Sequence, residues 1–123
     1  MKGSKKGMMK LPNSEGAFID LRKLTDYVLN FEDPVGRHKA RVFRAALGIT
    51  NVDAVTLKNA ILAAVRENEA EVGEADLYGQ RYTVDCIIEA GLRKALVRTC
   101  WIVRHGEDFP RLTTCYVLKE QRF

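Results

Sequence analysis

The chain has 123 residues, of which 46% are hydrophobic and 29% charged, with a net charge of +4. That length and balance fit one domain with a real core, and no apolar run approaches the roughly 18 residues of a membrane-spanning helix. The three cysteines, Cys86, Cys100 and Cys115, are an odd number with no C-x-x-C spacing, which argues against a disulfide framework and a zinc knuckle.

Residues 1–10 carry Lys2, Lys5, Lys6, Lys10 and two glycines, with no apolar stretch after them. They read as a loose basic tail rather than a secretory signal, with a single domain over 11–123. A first helix is predicted from an N-cap at Asp20. Ile19 can staple onto Leu24, and Leu21, Leu24, Val28 and Phe31 follow helical spacing with Tyr27 alongside. Asn30, Asp33, Pro34 and Gly36 close it in a loop. A second helix is expected from Arg37 to Leu47, with Ala40, Phe43 and Leu47 as its apolar stripe and Gly48 as the residue after its end. A third starts near Asn51 or Val52, where Ala54, Leu57, Ile61, Ala64 and Val65 share one face. The acidic stretch 67–76 reads as a loop.

The period then changes from helical to alternating. Tyr82, Val84, Cys86 and Ile88 alternate with Arg81, Thr83, Asp85 and Ile87, as in a half-buried strand. After a turn at Glu89-Ala90-Gly91, a strand over 94–104 places Val97, Thr99, Trp101 and Val103 on one face. His105-Gly106-Glu107-Asp108 and Pro110 separate it from a third strand over 111–118. Short connections make these strands antiparallel neighbours. The expected fold is α+β, with about three N-terminal helices packed on a small antiparallel sheet, a three- to four-stranded meander. The cysteines lie inside these apolar runs and read as small buried hydrophobes, in keeping with a reducing, cytoplasmic setting.

Charge is unevenly placed. Residues 1–50 hold ten Lys/Arg against five Asp/Glu, 51–76 hold two against six, and 77–123 hold eight against five. The basic ends suit an anionic partner at one face; a solvated surface is the simpler alternative. The densest basic run is Arg37, His38, Lys39 and Arg41 at the start of the second helix. Lys39 lies above Val42, Phe43 and Ala46, so its stem borders the buried stripe, either as an anion ligand or as a lysine covering apolar surface. His38 is a candidate general acid or base, or a bystander on the surface. The strands add Arg81, Thr99, Trp101, Arg104, Thr113 and Tyr116. Cations for phosphates, rings for stacking and hydroxyls for base edges suit an oligonucleotide, although Trp101 equally suits the core. There is no Gly-rich phosphate loop, no serine elbow and no cluster at metal spacing, so neither cofactor nor metal is expected. Metal-free RNA cleavage needs only a base, an acid and cations.

Leu11-Pro12-Asn13, then Lys23-Leu24, Asp26-Tyr27 and Leu29-Asn30, then Gly36-Arg37, Lys39-Ala40, Val42-Phe43 and Leu47-Gly48 form a pattern. Tyr78-Gly79 with Tyr82, Thr99 with Trp101-Ile102, and Pro110-Arg111-Leu112-Thr113 continue it. The pattern resembles a bacterial domain family of unknown function that is similar to C-terminal domains of contact-dependent toxins. Those domains resemble the barnase, EndoU, colicin and RelE-type ribonuclease fold. The resemblance implies a metal-independent ribonuclease of toxin type, acting on RNA and held inactive by a small cognate antitoxin or immunity protein. It implies a site built from Lys39, Arg81, Thr99, Trp101, Arg104 and Thr113, of which Lys39, Thr99, Trp101 and Thr113 fall on motif positions. With His38 added, the candidate catalytic set is Lys39, His38, Arg81, Thr99 and Thr113. The candidate substrate-binding set is Arg37, Arg41, Trp101, Arg104 and Tyr116. The alternative is a non-catalytic RNA- or protein-binding module, or an immunity component using its acidic stretch. Convergence of Lys39 with Arg81, Thr99 or Thr113 in one open cleft would favour the enzyme.

Overall fold

Strict alternation makes three long strands, which dominate the structure. They are joined by two further strands in one five-stranded antiparallel sheet whose spatial order is the chain order. The computed structural model describes residues 9–121. The strands are β1 (Met9–Lys10), β2 (Glu69–Ala75), β3 (Gly79–Ala90), β4 (Arg93–Arg104) and β5 (Arg111–Gln121). Two α-helices, α1 (Arg37–Leu47) and α2 (Ala54–Val65), cover one face.

The expected α+β class holds, but its element count does not. Three N-terminal helices on a three- to four-stranded sheet are corrected to two helices on five strands. The helix expected after Asp20 winds only as a π-turn over Leu24–Val28, with Leu29 N–H bonding Leu24 O at 2.8 Å. The physical reason is packing: Leu24, Val28 and Leu29 are all fully buried. Consecutive burial of Val28 and Leu29 suits the wider π-turn, and too few residues follow before Pro34 for a longer helix. The acidic stretch expected as a loop is β2. Ala70 pairs with Val84 and Val72 with Tyr82, and Ala70 alone of its residues is buried. Pairing with β3 outweighs the poor strand preference of glutamate, whose side chains stay in water. Of the N-terminal ten, Met9 and Lys10 pair with Ala70 and Glu69; residues 1–8 lie outside the described residues.

The core is the seam between the helices and the sheet face that carries Val84, Cys86, Ile88, Ala95, Val97, Trp101, Leu112 and Cys115. Phe43, Leu57, Ile61 and Val65 fill it from the helix side. Trp101 belongs to this core at 1% exposure. Its indole N–H donates to the Thr99 hydroxyl at 2.8 Å, and that hydroxyl donates to Val84 O at 2.7 Å. One buried threonine thus satisfies both the indole and a carbonyl. The other face carries Arg81, Thr83, Asp85, Arg98, Cys100, Thr114 and Tyr116, half-buried, and at the β5 edge Tyr116 reaches Lys39 of α1.

Candidate functional site

The start of α1 is set by Asp33 and Gly36. The Asp33 carboxylate accepts the Val35 and Gly36 N–H groups at 3.0 and 2.6 Å. Gly36 is buried, and a Cβ there would lie 1.9 Å from Tyr27 O. Only glycine lets the helix start this close to the π-turn. That approach brings Lys39, one turn in, onto Tyr27.

Lys39 Nζ donates to the Tyr27 hydroxyl at 2.8 Å and lies 4.7 Å from the centre of its ring. The Tyr116 ring, on β5, stands 5.9 Å away. Lys39 is half-buried, and among the described residues no carboxylate pairs with it. Two π faces and a phenol oxygen hold the ammonium without neutralising it. Its two remaining N–H bonds and the Tyr27 O–H are all donors.

Open clefts adjoin this cluster along the outer edge of β5. His38, Lys39, Val42, Tyr116 and Val117 line one of about 270 Å³. Beyond Tyr27, one of about 540 Å³ is lined by Asp20, Arg22, Lys23, Asp26, Tyr27, Thr113 and Thr114. A smaller one continues past Thr113 to Arg104 and Arg111, sharing Asp20 and Lys23. The Thr114 hydroxyl oxygen is buried and has no hydrogen-bond partner.

The expected site residues divide. Lys39, His38 and Tyr116 line one cleft, and Thr113 lies in the next, its hydroxyl donating to Cys100 O at 3.1 Å. Thr99 and Trp101 are in the core and line neither. Arg81 is on the sheet face turned from the helices, ion-paired to Asp76 at 2.7 Å. Arg104 reaches the far cleft. Arg37 is exposed, and Arg41 lines a shallow surface with Phe31, Arg44 and Arg93. Lys39 therefore meets neither Arg81 nor Thr99.

Sequence reasoning missed Tyr27, Lys23 and Thr114 as lining residues. Tyr27 was legible as a motif position and as an aromatic at the margin of an apolar stripe. Tyr116 has its own support: it stands opposite Arg98, whose guanidinium Asp85 grips at 2.8 and 2.9 Å. That carboxylate first, and Tyr116 after it, raise the Arg98 pKa. The thiols are not poised as nucleophiles: burial pushes Cys86 up to about 11 and Cys115 up to about 12, and raises Cys100. Among the described residues no group of three or more His, Cys, Asp or Glu is placed to hold a metal ion. Among the described residues no helix is long and apolar enough to cross a membrane.

Fold and site define a small α+β domain with a basic, tyrosine-lined cleft at one sheet edge. Over residues 10–119 the chain matches the family described as a domain of unknown function, DUF6883, and it belongs to that family. No curated protein matches it, and no solved structure does.

Proposed function

We propose that this domain binds RNA through the Lys39 cleft and cleaves it without a metal, as a ribonuclease of toxin type. The observation that carries the reading is the half-buried Lys39 ammonium, held between two tyrosines with no carboxylate partner among the described residues. A phosphodiester supplies the missing anion. The two remaining Lys39 N–H donors suit its non-bridging oxygens, and charge that develops on those oxygens in the transition state strengthens the contact. His38, at the mouth of the same cleft, takes the proton of the ribose 2′-hydroxyl. The freed oxygen attacks phosphorus. The 5′-oxygen leaves with the Tyr27 proton, and the Lys39 charge stabilises the phenolate. The products are a 2′,3′-cyclic phosphate and a 5′-hydroxyl. Tyr116 offers a ring for base stacking, and Arg37 and Arg41 steer the strand. The toxin setting, with a small cognate antitoxin or immunity protein, rests on the motif resemblance.

A second reading has one observation in its favour. Among the described residues no carboxylate orients His38, and a general base ordinarily has such a partner. A non-catalytic RNA-binding module would use the same cleft.

Purified protein incubated with tRNA and a fluorescent oligoribonucleotide, in excess chelator, separates them. Cleavage to cyclic-phosphate ends, reduced roughly 100-fold or more in Lys39→Ala, supports the enzyme. Intact RNA bound with steep salt dependence supports the binding module. Neither binding nor cleavage at micromolar protein defeats both.

A further inference from the structure

We infer that the outer edge of β5 is a docking site for an extended acidic segment of a partner protein, which adds a sixth strand and closes the Lys39 cleft. β5 is the last strand of the sheet. Its outer edge has main-chain partners only at its beginning among the described residues, where Phe18 N–H bonds Pro110 O at 2.9 Å and Leu112 N–H bonds Phe18 O at 3.0 Å. From residue 113 to 119 its outward main chain has no main-chain partner among the described residues. Such an edge is a template for strand addition, and proteins usually blunt it. This one already accepts an extended segment at Phe18, so the geometry for another is in place.

Charge selects the occupant. Where the edge passes the cleft it is flanked by Lys39 and His38, and no carboxylate lines that cleft. Further along, Lys119 is followed in sequence by Glu120, so the two offset each other in formal charge. The carboxylates near the edge, Asp20 and Asp26, lie at the Thr113 end, and Asp20 is already paired with Arg22. Val42, 44% exposed, and Val117 make the cleft floor apolar. Side chains two apart on a strand share a face, so one acidic and one apolar residue at that spacing reach Lys39 and the Val42 floor together. A second copy is a poor occupant. A twofold axis beside Tyr116 sets Lys39 and His38 against their own copies, and the outer edge of β2 is already taken at Glu69 and Ala70 by β1.

The test uses the full chain, isotope-labelled, and a capped eight-residue peptide in which glutamate and valine alternate at every second position with threonine between them, so that both share one strand face. Amide hydrogen exchange is expected to slow at least tenfold at alternate positions within 113–119 at millimolar peptide. The peptide is expected to displace a bound fluorescent oligoribonucleotide. Val42→Glu, on the helix surface, is expected to weaken the peptide at least tenfold with the fold unchanged. If the oligoribonucleotide does not bind but the edge amides are protected, the RNA reading fails and this one stands. Equal protection by the same peptide with lysine for glutamate overturns the proposal. So does binding without protection at 113–119, or concentration-dependent self-association through that edge.

Discussion

At the scale of the residue, Gly36 matters more than the basic run that follows it. Its φ of −77° is open to any residue, so what it supplies is space. A methyl group there would overlap the Tyr27 carbonyl. Gly36→Ala must therefore lift the first turn of α1 away from Tyr27. The expected outcome is a loss of about 1–3 kcal/mol in urea unfolding, together with loss of RNA affinity, since Lys39 then no longer sits on Tyr27. Unchanged stability would show that the close approach is not real. Thr99 shows the opposite case. As a polar residue on a motif position it suggested chemistry, but its hydroxyl is fully occupied inside the core by Trp101 and Val84. Sequence pattern marks such a threonine as special without saying whether it serves a substrate or a buried indole.

At the scale of the element, the long strands and both α-helices were legible because their period is strong. Residues 94–104 and 111–118 were placed as strands and lie within β4 and β5, and α1 has the bounds expected of it. The misplaced elements are those whose state depends on a distant partner. Glu69-Ala70-Glu71-Val72 alternates like a strand, but its carboxylates suggested a loop, and only pairing with β3 makes it β2. The turn at Leu24–Val28 has the apolar residues of a helix, but its burial pattern stops it after one π-turn. Ala70→Glu tests β2 directly. A loop would absorb the change within about 0.5 kcal/mol. In β2 the new carboxylate faces the core opposite Val84, and a loss above about 2 kcal/mol is expected in denaturant unfolding.

At the scale of the whole molecule, part of the surface charge is held in local pairs. Asp20 beside Arg22, Asp76 beside Arg81 and Glu107 beside Arg111 are each hydrogen-bonded by an arginine that holds the carboxyl below its usual range. A lowered native pKa means that folding favours the ionised form. The stabilisation is therefore present above the unfolded value and lost as pH falls through the native one, for Asp20 from 3.8 toward about 2. Melting temperature is expected to hold from about pH 7 to about pH 5 and to fall below about pH 4 in thermal scans. A flat profile down to about pH 2.5 would remove these pairs from the stability of the fold. Lys39 stands outside these pairs. The sequence by itself determined the α+β class, the positions of α1, α2, β3, β4 and β5 and the basic start of α1. These follow from local period, caps and composition, which are properties of neighbouring residues. The tertiary structure alone decided that β2 is a strand, that Thr99 and Trp101 are core, and that Arg81 is committed to Asp76. It also decided that Lys39 sits against Tyr27 and Tyr116. Each of these depends on which distant backbone or side chain fills the space beside a residue, and local periodicity carries no record of that.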